Sequence, residues 1–190
     1  MVFFIISFKV ENKMQDKKIG RFPIPNINEL PIDIKNHITS VQEKIGFIPN
    51  VFLILSHRPD EFRAFIAYHD ALMERKSGLS KAEKEMIVVA TSSDNGCQYC
   101  VIAHGAILRL RAKNPFIADQ VAINYNKADI SERQKEMLRF ALKVSNDSKS
   151  VSDSDFAELS KHGFSEEDIW ETTSLIRNVL NKKEIHLKLN

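Results

Sequence analysis

Residues 80–113, SKAEKEMIVVATSSDNGCQYCVIAHGAILRLRAK, decide the fold. Ser80 with Glu83 three residues on is a capping box, so a helix starts there. Met86 to Ala90 are apolar all round, which predicts a buried helix rather than a half-exposed one. SSDNG at 92–96 reads as a turn. CQYCVIAHGAILRLRAK then reads as a long helix, ended by Asn114-Pro115. A helical pair with no alternating segment between its members points to an all-helical chain.

The flanking sequence agrees. Ile34, Ile38, Val41 and Ile45 recur in steps of three and four, predicting a helix over 32–45 that Gly46 and Pro49 stop. Pro59 and Asp60 open another, with Phe62, Phe65, Ile66, Leu72 and Met73 on its apolar stripe. His69 falls on that stripe, where a histidine is more often a satisfied core residue than a chemical one; it is also a candidate for lining a pocket. Further helices are expected over 116–124, 131–144, 152–161 and 165–180, with Phe164 and Trp170 in the core. RFPIPNINELP, ahead of the first helix, reads as an extended arm because prolines hold their neighbours out of the helical region. No segment carries a hairpin pattern. The fold class is all-α, with seven or eight helices.

The 190 residues, 43% of them apolar, suffice for one domain with a sizeable core. That domain is expected over 21–183, with a tail at 184–190. Residues 1–20 read as a poorly ordered or artefactual extension, Met14 offering a second start. The octet MVFFIISF is too short to span a bilayer and lacks the flanks of a secretory signal. A net charge of +2, spread along the chain, argues against nucleic acid as a partner. Six glycines and six prolines form no phosphate-binding loop. Two cysteines three positions apart cannot build a disulfide framework and suit redox or metal chemistry in a reducing compartment. A cytoplasmic location is expected, with the mitochondrial matrix as the eukaryotic equivalent.

Cys97, Cys100 and His104 share one helix face, because steps of three and four residues advance about 300° and 400°. Thiol and imidazole at i and i+4 are neighbours. A free thiol titrates near about 8.5, and a partner base together with a helix N-terminus lowers that by about two units. Glu85, at the edge of the buried run, needs a partner, and a histidine on the next helix would be oriented by it. The arrangement reads as a relay Glu85–His104–Cys100, with Cys97 placed to close a disulfide once Cys100 is oxidised. The helix dipole taken alone favours Cys97, which is nearer the N-terminus, as the activated thiol.

Glu85, eleven residues, then CQYCVIAH resembles the motif E-x(11)-C-x-x-C-x(3)-H of the AhpD-like alkylhydroperoxidases in the carboxymuconolactone decarboxylase superfamily. FPIPN, EKIGFIPNVF, SHRPDEFRAF and HGFSEEDIW also look like the peroxidase-related branch, so the resemblance covers roughly residues 20 to 175. It implies an all-helical protein that assembles as a trimer or hexamer, with the arm reaching a neighbouring subunit. It implies reduction of hydroperoxides with Cys100 peroxidatic and Cys97 resolving, recharged by a lipoyl-bearing or thioredoxin-like dithiol protein. No cofactor and no metal is implied. Two departures stand out: Tyr99 sits where founding members carry a second histidine, and Asn181-Lys182 replaces an Asn-Arg ending.

Rival readings of the CxxC are a general dithiol-disulfide oxidoreductase or redox sensor, half a zinc site, and two inert buried cysteines. A structural zinc site wants four ligands, and the sequence offers no fourth beside His104. A decarboxylase reading, from the superfamily's other branch, lacks a use for paired cysteines.

Overall fold

The computed structural model describes residues 22–189, with side chains described to 177 and at 179. The expectations for 1–20 lie outside these residues. Among the described residues there are nine α-helices and no strand: α1 Ile32–Ile45, α2 Asn50–Leu55, α3 Pro59–Met73, α4 Lys81–Asp94, α5 Gln98–Ala112, α6 Ile117–Asn124, α7 Glu132–Asp147, α8 Asp153–Lys161 and α9 Glu166–Leu189. The all-α expectation holds, and the eight longer helices are the eight that the periodicity predicts.

Three boundaries differ. The six-residue α2 is too short to display a period, and Pro49, read as a stop, sits at its N-cap. The predicted turn at 92–96 shrinks to Asn95-Gly96, because Thr91 and Ser93 satisfy their hydroxyls without leaving the helix: Thr91 donates to the Ile87 carbonyl at 2.7 Å, Ser93 to that of Ala122 at 2.8 Å. α9 passes the predicted end at Leu180 and continues to Leu189, since no glycine or proline interrupts NKKEIHLKL.

α4 is the axis of the molecule. Its capping box forms as predicted, and every residue from Glu83 to Ser92 is buried. α5, α6, α7 and α9 pack around it. Burial on all sides includes Lys84, whose ammonium donates to the Leu72 and Arg75 carbonyls, both at 2.8 Å, and to Glu171 at 2.7 Å. A lysine has three protons to donate, so this cation is saturated without water. It closes the C-terminal end of α3 and ties α4 to α9.

A second, smaller core joins α1 and α3 through Ile34, Ile38, Leu55 and Phe62, with Phe52 of α2 edge-on to Phe62. Fully burying an isoleucine is worth about 1.5–3 kcal/mol, so Ile34 and Ile38 are the chief attachments of α1. Phe164 is in the main core, under the Arg133 guanidinium. Trp170 is not: it lies on the outer face of α9, 70% exposed, because Ile169, Leu175 and Ile176 supply that helix's buried stripe. No described helix is long and apolar enough to cross a membrane.

Candidate functional site

The α4–α5 connection places the cysteines. Gly96 has φ 67, a left-handed conformation that an L side chain seldom adopts, and it reverses the chain in two residues. The Cys97 N–H then donates to the Ser92 carbonyl at 2.8 Å, which locks Cys97 as the N-cap of α5. Cys100 is the third helical residue. Both sulfurs therefore lie in the first turn, where unpaired N–H groups favour an anion. The two are buried and 2.7 Å apart.

Glu85 and His104 meet across the two helices. Glu85, 1% exposed, accepts a hydrogen bond from Nδ1 of His104 through Oε2 at 2.7 Å. A neutral imidazole donating from Nδ1 keeps Nε2 as its basic nitrogen. The other carboxylate oxygen is taken by a residue that the sequence reading missed: Arg111 Nη1 stands 3.1 Å from Oε1. Arg111 Nη2 reaches Glu74, also at 3.1 Å, and Glu74 in turn pairs with Lys81. Hydrogen bonding from Lys81 holds the Glu74 carboxyl below its ordinary range. The signal for Arg111 was present: it follows His104 by seven residues, two turns along the same face of α5.

The face of α5 bearing Cys97, Cys100 and His104 forms one wall of a cavity of about 300 Å³. α1, α2 and α3 form the other, through Val41, Phe52, Phe65 and Ile66. Gly105 lets α5 sit close to α6, since a Cβ there would lie 3.3 Å from that of Ala118. Tyr99 is half-buried on the cavity wall. Burial pushes its phenol above the ordinary value, the neighbouring Cys100 and Cys97 add to this, and a hydrogen bond with the Val51 backbone opposes it. Tyr99 thus remains a protonated phenol tied to α2. His69 is a wall residue rather than a core one, 3.0 Å from Asp70 and stacked on Phe65. His37, not singled out from the sequence, lines the same cavity between Phe52 and Phe62. No three acidic, cysteine or histidine side chains among the described residues are grouped to hold a metal ion.

Residues 59–114 match the model of the carboxymuconolactone decarboxylase family. The chain is 55% identical to an uncharacterized peroxidase-related protein with an alkylhydroperoxidase AhpD core from Ralstonia eutropha JMP134; the match covers 89% of each chain with a TM-score of 0.86. It is 32% identical to an uncharacterized peroxidase-related protein from Silicibacter sp. TM1040, over 91% of each chain, with a TM-score of 0.84. The debrominase Bmp8, solved in complex with 2,3,4-tribromopyrrole, shares the fold at 20% identity, over 90% of this chain and 88% of that one, with a TM-score of 0.72. Comparison with curated proteins finds no match.

Proposed function

This chain belongs to the carboxymuconolactone decarboxylase family, among its AhpD-like peroxidase-related proteins, and from that premise we propose that it reduces organic hydroperoxides through a dithiol-disulfide cycle. The observation that carries the reading is the Glu85–His104 pair, whose imidazole shares one cavity wall with the two adjacent thiols. His104 takes the proton of Cys100. The thiolate attacks the hydroperoxide, the O–O bond breaks, and the alkoxide leaves as the alcohol with that proton. Cys100 is now a sulfenic acid. Cys97 attacks its sulfur, and a disulfide and water result. An external dithiol, lipoyl or thioredoxin-like, transfers two electrons and two protons to restore both thiols.

Burial of both sulfurs, 3% and 4% exposed, favours a small oxidant over a bulky protein disulfide as the group that meets Cys100. The cavity's apolar walls favour an organic hydroperoxide over a fully hydrated one. A homo-oligomer, trimer or hexamer, is part of the proposal. It is supported by Leu110, Phe116 and Ile123, all large, apolar and well exposed on α5, the α5–α6 loop and α6. A chain with two cysteines and no disulfide framework suits the cytoplasm or another reducing compartment.

The test is peroxide consumption with dihydrolipoamide or thioredoxin as reductant, run beside Cys100→Ser. Turnover that vanishes in the variant supports the reading. Thiol-disulfide exchange with no peroxide consumed would instead assign a general dithiol oxidoreductase.

A further inference from the structure

We infer that Arg111 is a positioning residue that makes the thiolate form of the site electrically neutral. This rests on the reading above that Cys100 is the thiol that ionises. The geometry divides Glu85 between two partners, His104 on Oε2 and Arg111 on Oε1, at 2.7 and 3.1 Å. Counting charges shows what the second partner does. With Arg111 in place, the resting cluster of Arg111 cation, Glu85 carboxylate, neutral His104 and Cys100 thiol sums to zero. Moving the thiol proton to His104 leaves a cation, an anion, an imidazolium and a thiolate, again summing to zero.

Without Arg111 the same thiolate state carries an uncompensated negative charge in a buried site. Such a charge is costly in a low dielectric, and the resting form lacking Arg111 carries it too. The cluster relieves it by binding one further proton, imidazolium beside thiol, so that the thiolate forms only at higher pH. The other charged groups around the cluster have partners of their own. Glu74 is matched by Lys81, beyond Arg111. Asp119 of α6 is matched by Arg109. Asp70 on the facing wall is beside His69, and Glu83 of α4 turns away to Arg133. His37 faces the cavity from α1, and Tyr99, its phenol held protonated by burial, adds no charge. Arg111 is therefore the cation in contact with the Glu85 carboxylate that balances the active state.

The inference is tested by the pH dependence of Cys100 alkylation with iodoacetamide, in the full chain carrying Cys97→Ser so that a single thiol reports. Arg111→Met should move the midpoint up by about one pH unit, which is about tenfold slower alkylation below the midpoint and no difference well above it. Arg111→Gln tests the same loss of charge while keeping a donor for Glu85, should the methionine variant fold poorly. Arg111→Lys, which keeps the charge, should stay near the parent. An unmoved midpoint, including a loss of rate that is uniform across pH, would overturn the inference. Peroxide consumption by the unmodified chain is a separate measurement: its absence beside a shifted midpoint would remove the peroxidase reading and leave the role of Arg111 standing.

Discussion

Glu85 and His104, nineteen residues apart in the chain, are joined carboxylate to imidazole at 2.7 Å, with the acid 1% exposed. A buried carboxylate beside a ring nitrogen fixes the ring's orientation and its tautomer. It also makes the opposite nitrogen more basic. The pair is held from outside by Arg111, so neither side chain can turn away without breaking a buried ionic contact. The thiols, by contrast, are positioned by backbone: Gly96 turns the chain and the Ser92 carbonyl captures the Cys97 N–H. Acid and base come from one helix pair, thiols from the start of the second helix, and one short stretch of chain supplies the whole set.

The roles of the two cysteines are separable. Cys100→Ser should abolish peroxide turnover. Cys97→Ser should consume one equivalent of peroxide per chain and then stop, with the sulfenic acid detectable by dimedone labelling and mass spectrometry. Sustained multiple turnover by Cys97→Ser with a dithiol reductant would remove its resolving role.

Glu85→Gln and His104→Gln should both slow alkylation of the reactive thiol at pH 6 to 7, by about tenfold for each pH unit that the midpoint moves. Glu85→Gln also removes one of the two carboxylates paired with Arg111, leaving it Glu74 alone, so a lowered urea midpoint is expected alongside. Alkylation rates equal to those of the parent protein would dissolve the relay.

Most of the fold was legible because periodicity and punctuation agree: Ser80 with Glu83, Pro59, and Gly46 each mark a real boundary. Glu85 was legible as a carboxylate that needed a partner, and His104 as the partner in reach. What escaped depends on facing surfaces. Arg111 looks like a solvated end of helix until α3 and α4 bring Glu74 and Glu85 to it. Lys84 sits in a run of charges, KAEKE, whose burial follows from α4 being enclosed on every side. His69 shares an apolar stripe with true core residues, and the cavity that it lines exists because α1 and α2 stand off from α5. Trp170 differs for the opposite reason: its aromatic character suggests core, but the buried stripe of α9 runs one residue away, through Ile169.

Lys84→Met should be among the most destabilising single substitutions. It strands the Glu171 carboxylate in the core and leaves two carbonyls unpaired, a loss of about 3–5 kcal/mol. The double variant Lys84→Met/Glu171→Leu should recover the part due to the stranded carboxylate, while the two carbonyls stay unpaired. Urea unfolding of the two single variants and the double gives the coupling directly. A double variant no more stable than Lys84→Met would show that packing, rather than stranded charge, dominates.

Stability should also depend on pH through Asp155, whose carboxyl is held far below its ordinary value by Lys143, by the Ser152 backbone and by Arg139. A carboxyl depressed in the folded state stabilises the fold at every pH above its unfolded value of about 3.9 and loses that contribution as pH falls below it. Asp155→Asn should therefore be less stable than the parent protein at pH 7, by about 2 kcal/mol. The gap should narrow progressively on acidification from pH 4 downward. Urea midpoints at pH 7, 4 and 2.5 read this out, and a gap that stays constant would mean the asparagine loses something other than the ionic contacts.

The apolar surface gives the last prediction. Leu110, Phe116 and Ile123 are 78%, 69% and 85% exposed, and all three come from α5, α6 and the loop between them. Leaving side chains of this size in water forgoes about 1.5–3 kcal/mol each relative to burial, a cost that a second copy of the chain would remove. Multi-angle light scattering should find a mass that is a multiple of the single chain. Leu110→Glu with Phe116→Glu should shift that mass toward the monomer, because two carboxylates in each copy would be desolvated on association. The helical circular dichroism should be unchanged, since neither residue contributes to either core. A parent protein that elutes as a monomer at micromolar concentration would refute the assembly. An oligomer indifferent to both substitutions would move the interface elsewhere, with the exposed Trp170 face of α9 the next to test.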